Sequence, residues 1–346
     1  MPMFEALKRC PDAVVLRGDM RKYQRESARI RTIFASVSPA VEPLSLDEAF
    51  IDVTASIGLL GPPLAIGRRL KDAVRAATGL TVSVGIGPGK MIAKIAGDVA
   101  KPDGLTEVRP ERVEAFLAPL PVGRLWGVGP VTQAALREAG IVSVGDLRTV
   151  PRATLARAVG RAADALVRLA RGEDVRVVEP DRDARSYGEE GTFDHDVRDV
   201  AVVRRAIIGH AEAVARRLRK DGVRARIVVV KWKLTDRLGG GRFPLVTRRR
   251  TLGAATDDGK TLADAALALW EMHRPSRAIR LVGVAAAGIG GGEPQLALFA
   301  DPVAARRAAL NQALDTLVAR WGTETVVRGG GRRPEKGLTT RLKPGE

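Results

Sequence analysis

Cysteine is almost absent: Cys10 is the only one in 346 residues. A single thiol excludes an intrachain disulfide and any zinc site built from a cysteine cluster. Histidine is scarce too, and His195, His210 and His273 are scattered. That pattern reads as surface or cap histidines rather than a metal centre. No apolar run is long enough to span a bilayer, and no basic amphipathic helix with aromatic anchors stands out. The opening "MPMFEALKRCPDAVV" lacks the apolar core of a signal peptide, so a cytoplasmic chain with no membrane partner is expected. No internal repeat is visible.

What the chain does have is positive charge. The formal net charge is +17, and the pI is near 10.8. Such a balance implies a polyanionic partner, most simply nucleic acid. An acidic membrane surface is the rival. The length suggests two or three domains, and 45% hydrophobic residues is enough for real cores.

The periodicity predicts helices over residues 3–10 and 21–37. "AFIDVTAS" (49–56) reads as a strand, and "LAIGRRLKDAVRAATG" (64–79) as a helix stopped by Gly79. "LTVSVGIG" (80–87) is β-branched and predicts a strand, followed by a helix over "GKMIAKIAGDVA" and a turn at "KPDG". This first stretch is an α/β unit. Residues 106–175 change character, with short helices joined by Gly and Pro turns and no strand expected. The polar stretch "EPDRDARSYG" (179–188) reads as a linker. From 186 the order is strand, helix, strand, strand, helix, strand, which is the split unit of ferredoxin-like folds. The strands are "SYGEEGTF", "RARIVVVKWKL", "FPLVTRRRTL" and "RAIRLVGVAAAGI", with helices over about 197–220 and 260–272. Beyond 290 come glycines, a short apolar motif, an amphipathic helix over 302–320 and a basic tail whose composition suggests disorder.

Five constellations could carry chemistry. In "PLSLDEAFIDV" two carboxylates, Asp47 and Glu48, stand side by side within an alternating apolar pattern. Strands disfavour Asp, and neighbours on a strand point to opposite faces. At a strand entry or on a bulge the two can converge, and a hard divalent cation would compensate their charge. A solvated turn is the plainer reading, which the apolar flanks Leu44, Leu46, Phe50 and Ile51 weaken. Asp52 reads as structural. In "SVGIGPGKMIAKIAGDVAKPDG" a glycine turn leads into a helix bearing Lys90 and Lys94, and Lys101 follows. Helix N-termini can hold phosphate, but the P-loop spacing is absent, and alone this is an ordinary strand-to-helix turn. In "LWGVGPVTQAALREAGIVSVGDL", Gly127 and Gly129 suit a helix-hairpin-helix that offers backbone N–H groups to a DNA phosphate.

The fourth lies in the later strands. Lys231 and Lys233 share one face of "RIVVVKWKL", with Val230, Trp232 and Leu234 on the other, and "TRRRTL" adds Arg248, Arg249 and Arg250. A sheet with one helix-covered face and one basic face could lie along a duplex backbone; ordinary solvated charge is the alternative. The fifth is "QLALF", with Gln295, Leu296, Leu298 and Phe299 after a glycine stretch. Pro294 and Pro302 favour an extended peptide that inserts into an apolar groove over the start of the last helix.

Together these stretches resemble the Y-family DNA polymerases of the polymerase IV type. "SLDEAFIDVT" and "GIGPGKMIAKIAGDVAKPDG" are similar to two palm motifs of that family. The helix-hairpin-helix falls where its thumb would be, and "EEGTFDHDV" and "IRLVGV" resemble the edges of its little finger. "QLALF" is similar to the peptide by which bacterial polymerases bind the sliding clamp. The resemblance implies an α+β multidomain fold: partial fingers and palm at 1–105, a helical thumb at 106–175, a linker at 176–187, a little finger at 188–290, and a clamp-binding peptide, helix and tail at 291–346. It implies a low-fidelity, translesion DNA-directed DNA polymerase acting in repair as a monomer on primer-template DNA. Its substrates would be deoxynucleoside triphosphates, with two Mg²⁺ ions as cofactor. Asp47 would bind the ions, Glu48 would be the neighbouring catalytic carboxylate, and Lys101 would hold the triphosphate. DNA would be met by Lys90, the glycine hairpin and the basic strands.

Two departures qualify the resemblance. The family opens with a strand that carries a further metal-binding aspartate and an aromatic residue, and then supplies a tyrosine and an arginine. This chain is expected to begin after them, so that it is weakly active or inactive by itself. Gly89 stands where the family usually has asparagine. Two other functions compete. One is a catalytically inactive accessory protein that binds DNA and the clamp. The other is a helix-hairpin-helix repair enzyme, which leaves "SLDEAF" and "KPDG" unexplained.

Overall fold

The computed structural model describes residues 3–16, 18–181, 183–235, 243–290, 302–322 and 326. They group into two compact units, Asp19–Arg182 and Asp183–Glu346, the latter together with Met1–Gly18. The fold is α+β, as expected. Among the described residues no helix is long and apolar enough to cross a membrane.

The first expected helix is α1 (Met3–Arg9), and the second is α2 (Met20–Ala35), opened by Asp19, whose side chain accepts the N–H groups of Arg21 and Lys22. A hairpin follows, β1 (Val41–Pro43) antiparallel to β2 (Ala49–Ile51). The strand read over 49–56 is therefore only three residues long. Asp52 ends it by accepting the Thr54 N–H at 2.9 Å, which turns the chain into a short 3-10 segment and α3 (Ile57–Leu60). Helix α4 (Pro63–Thr78) ends at Gly79, as its sequence predicts. Ile66 and Leu70 of α4 pack with Val37 in a small apolar cluster.

The next predicted strand is also short. β3 (Val84–Ile86) runs into α5 (Lys90–Val99), and β3 pairs in parallel with β4 (Leu105–Glu107), which the sequence did not suggest. Strand and helix touch backbone to backbone here: a Cβ on Gly85 would lie 2.0 Å from the Ala93 carbonyl oxygen. Only glycine fits there, so side-chain alternation was lost as a strand signal. Five helices complete the unit: α6 (Val113–Leu117), α7 (Pro130–Glu138), α8 (Asp146–Thr149), α9 (Arg152–Val159) and α10 (Ala163–Ala170). Their core includes Leu117, Leu136, Leu147 and Leu155, and it also takes in Met91, Ile92 and Ile95 of α5. One face of α5 is thereby fixed in the helical cluster.

The other unit follows its predicted element order closely: β5 (Ser186–Val197), α11 (Val200–Lys220), β6 (Arg224–Leu234), β7 (Leu245–Thr256), α12 (Gly259–His273) and β8 (Ile279–Gly290). The antiparallel sheet has the order β5-β8-β6-β7, so each helical crossover leaves room for one intervening strand. Val228, Val230 and Trp232 of β6 face the helices, and Trp232 meets Trp270 of α12 edge to face at 5.3 Å. The last helix, α13 (Pro302–Trp321), shields one side on which the apolar Leu314, Leu317 and Val318 alternate with the polar Arg307, Asn311 and Asp315. Asp315 accepts a two-pronged ion pair from Arg219 at 2.6 and 2.8 Å, and the buried Asn311 donates to Asp258 at 2.9 Å. Residues 291–301, and with them Gln295, Leu296, Leu298 and Phe299, lie outside the described residues.

Candidate active site

The acid pair sits in the β1–β2 turn, at the entry to β2 rather than within it. The Glu48 carbonyl accepts the N–H groups of Leu44 and Ser45 at 2.9 and 3.3 Å, which closes the hairpin. The Ser45 hydroxyl accepts the N–H of Glu48 at 3.1 Å and donates to the Asp47 carboxylate. In such a turn, strand alternation does not separate neighbouring side chains. Phe50, just beyond, is buried, but Leu44 and Leu46 are exposed, so only the later apolar flank belongs to a core. Asp52 is structural, as expected. Hydrogen bonds from Thr54 hold its carboxyl below the usual range against the opposing effect of burial.

Helix α5 faces this turn. Lys94 Nζ lies 2.8 Å from Glu48 Oε2. Lys101, just past the helix, pairs with Asp98 at 2.7 Å. The hydrogen bond and charge of Asp98 raise the Lys101 pKa, and the charges of Glu48 and Asp47 add to the rise. Asp47, Glu48, Lys94 and Lys101 thus belong to one electrostatic neighbourhood. Among the described residues no group of three or more His, Cys, Asp or Glu side chains could hold a metal ion.

Lys90 departs from its expected place on a DNA-facing surface. Its ammonium is largely buried in an ion pair with Glu42 of β1, donates to the Val177 carbonyl at 2.9 Å and lies 5.2 Å from the Phe50 ring centroid. Buried Glu42 also accepts the Glu179 N–H at 2.8 Å. Beside it, Asp174 accepts the Met91 N–H at 2.9 Å and two hydrogen bonds from Arg176 at 2.7 Å. Gly89 at the α5 N-cap has no side chain to cap the helix, and Asp174 does so from 83 residues away. Arg176 in turn lies 4.5 Å from the Trp126 ring centroid. A segment that begins as the expected linker is therefore pinned to α5 and β1. Glu42, Asp174 and Trp126 were not picked out by sequence reasoning. The one available signal was Gly89, an N-cap without a capping side chain.

Trp126 leads directly into the glycine hairpin. Gly127 has φ +88, Gly129 is the N-cap of α7, and both are exposed, which leaves the α7 N-terminus accessible.

In the other unit the β6–β7 register divides the expected basic surface. Directly paired residues of antiparallel strands share a face. Arg249 pairs with Val229, and so lies on the open face with Lys231 and Lys233. Arg248 and Arg250 pair with Val230 and Val228, which puts them on the helix side of an edge strand. Moreover, Lys231 is ion-paired with Glu190 across Gly283. A Cβ on Gly283 would stand 2.7 Å from Glu190 Cβ and 3.1 Å from Lys231 Cε, so the glycine allows that pairing.

Comparison with known proteins agrees along most of the chain. The impB/mucB/samB family model matches residues 1–98, the C-terminal domain of that family matches 184–298, and the IMS family HHH motif matches 110–141. DNA polymerase IV of Desulfatibacillum aliphaticivorans is 39% identical over 330 residues, spanning 94% of this chain and 82% of the relative. DNA polymerase IV 1 of Mesorhizobium japonicum is 38% identical over 334 residues, or 95% of this chain and 74% of the relative. Among solved structures, a Y-family DNA polymerase chimera aligns with a TM-score of 0.71 at 25% identity, covering 84% of this chain and 82% of the chimera.

Proposed function

This chain belongs to the Y-family DNA polymerases of the polymerase IV type, and from that membership we propose a DNA-directed DNA polymerase that extends primers across damaged template with low fidelity. The observation that carries the reading is the gathering of Asp47 and Glu48 in one turn opposite Lys94 and Lys101.

Adjacent carboxylates on an accessible turn are the hard oxygen donors that Mg²⁺ prefers, so the donor chemistry fits. Two carboxylates do not fill a coordination shell. Phosphate oxygens of the incoming deoxynucleoside triphosphate and water would supply further ligands in this reading. Two ions, when bound, would lower the pKa of the primer 3′-hydroxyl and stabilise the in-line displacement. The chain's own residues do the rest. Asp47 and Glu48 present their charge from a turn that Ser45 holds. Lys101 keeps its proton firmly and offers a fixed positive charge to the triphosphate.

In this reading residues 1–105 act as partial fingers and palm and 106–175 as thumb, with 176–187 as linker and 188–290 as little finger. Primer-template DNA is held through its backbone by the N–H groups at Gly127–Gly129 and by the open sheet face with Lys231, Lys233 and Arg249. Arg248 and Arg250 reach DNA only along the β7 edge. Gln295–Phe299 is the peptide proposed for the sliding clamp.

Primer extension with Mg²⁺ tests the proposal. Asp47→Ala and Glu48→Ala should each remove extension while DNA binding stays within about twofold, because the basic surface is untouched. Extension by Asp47→Ala at the parent's rate would refute the assignment. If the parent also fails to extend primers but binds DNA, the accessory-protein reading gains. The engagement of Glu48 by Lys94 is the observation on its side.

A further inference from the structure

Two lysines approach the acid pair, in different ways. Lys101 is tied to Asp98 and influences the pair from a distance. Lys94 touches it, with Nζ 2.8 Å from Glu48 Oε2. The backbone beneath Lys94 is fixed, since Met91, Ile92, Ile95 and Ala96 are buried and Gly97 abuts Gly85. Only the side chain of Lys94 can respond to a change at Glu48, and it is about a third exposed, at 32%. A second acceptor is within reach: Lys94 Nζ lies 6.0 Å from the Trp126 ring centroid, at the edge of the range in which an aromatic face attracts an ammonium. Arg176 also lies against that ring, but two hydrogen bonds from Arg176 to Asp174 fix it there.

We propose that Lys94 is a movable counter-cation of the acid pair: it neutralises Glu48 in the resting protein and gives way toward Trp126 when a divalent cation arrives. The proposal rests on the reading of Asp47 and Glu48 as cation ligands. An ammonium and a divalent ion on one carboxylate repel each other, so each weakens the hold of the other. Without Lys94, two adjacent carboxylates would repel each other in the resting turn. Lys94 is in this view a positioning residue: it acts through Glu48 and sets how readily a divalent ion can enter.

Manganese binding to the full chain, followed by electron paramagnetic resonance without nucleotide or DNA, is the test. Lys94→Ala should tighten Mn²⁺ binding by about fivefold, the scale of one partly exposed charge pair. Lys94→Arg should stay near the parent, since the competing charge is restored. In a Glu48→Gln background, the Lys94→Ala effect should vanish. Lys94→Gln, neutral and of similar length, replaces the alanine variant if alanine perturbs α5. If Glu48→Gln weakens Mn²⁺ binding while Lys94→Ala and Lys94→Gln leave it unchanged, the acid pair binds cations and Lys94 does not compete; the proposal then falls alone. If none of these variants changes Mn²⁺ affinity, the cation reading of the acid pair falls with it.

Discussion

The two units are held together by different means. In Asp183–Glu346 the strands run for eleven or twelve residues, and their ladders and a shared apolar core join distant parts of the chain. In Asp19–Arg182 the strands are three residues long. There, buried carboxylates span the gaps: Glu42 meets Lys90 and the Glu179 N–H, and Asp174 meets Met91 and Arg176. Apolar burial is non-directional and tolerant of detail. A buried charge pair is directional, and losing one partner strands the other. The unit that carries the acid pair thus adds directional pins to its apolar core, and these set where β1, the start of α5 and the acid-bearing turn stand.

The sharpest way to break this contrast is to remove one element from each unit. Glu42→Ala leaves the Lys90 ammonium buried without its carboxylate and should cost Asp19–Arg182 about 3–5 kcal/mol. A double change, Glu42→Leu with Lys90→Met, should recover most of that, because neither charge is then left unpaired. Trp232→Ala should cost the other unit a similar ~3–5 kcal/mol, with no such rescue by charge removal. Urea unfolding resolved by hydrogen exchange separates the two units. If Glu42→Ala left Asp19–Arg182 within about 0.5 kcal/mol of the parent, the pin would be ornamental and the contrast would fail.

The same contrast explains what was legible in the sequence. The long strands of the later unit leave room for a pattern to emerge, as the alternation in β6 does, and β6 matches its expected bounds, Arg224–Leu234. Strands β2 and β3 are too short for any period to emerge, and β4 escaped notice altogether. The acid pair was legible because its two members are adjacent. Its surroundings were not, because Glu42 and Glu179 are 137 residues apart and Asp174 and Met91 are 83 apart. The basic strand was misread for a third reason: three consecutive arginines must alternate faces, and only the register with β6 says which one joins Lys231 and Lys233.

A medium effect should appear at Asp174, and it should depend on pH. Burial pushes the Asp174 carboxyl up, but the hydrogen bonds from Arg176 and the Met91 N–H outweigh it and hold the group below the usual carboxylate range. The unfolded chain, with a carboxyl near 3.9, therefore takes up the proton first as pH falls. Asp174 contributes its full stabilisation above that value, and the contribution drains away as pH drops through the lower folded pKa. Asp174→Asn should cost about 1–2 kcal/mol at neutral pH, and the gap from the parent should close in acid. A gap that stays constant from pH 7 to pH 3 would mean that the loss comes from packing, and the pins would then matter less as charges than as shapes.

The smallest effects belong to the open sheet face of the other unit, where the contrast can be sharpened residue by residue. If this face lies along a duplex backbone, each lysine or arginine that meets a phosphate contributes about one unit to the slope of log affinity against log salt. Each contact is then worth about threefold in affinity between 50 and 200 mM salt. Lys233 and Arg249 share that face, so Lys233→Ala and Arg249→Ala should each lower the slope by about 0.9. Lys231 shares it too, but Glu190 already answers its charge, so Lys231→Ala should change the slope by clearly less, and Glu190→Gln should tighten binding. Arg248 and Arg250 lie on the opposite side of the edge strand, and their alanine variants should fall below the Arg249 effect. None of these changes should depend on DNA sequence, because phosphates carry none. Fluorescence anisotropy titrations on one duplex at four salt concentrations would rank the six variants. Equal slopes for Arg248→Ala and Arg249→Ala would show that the duplex contacts the β7 edge rather than the open face, and would move the DNA path off the sheet.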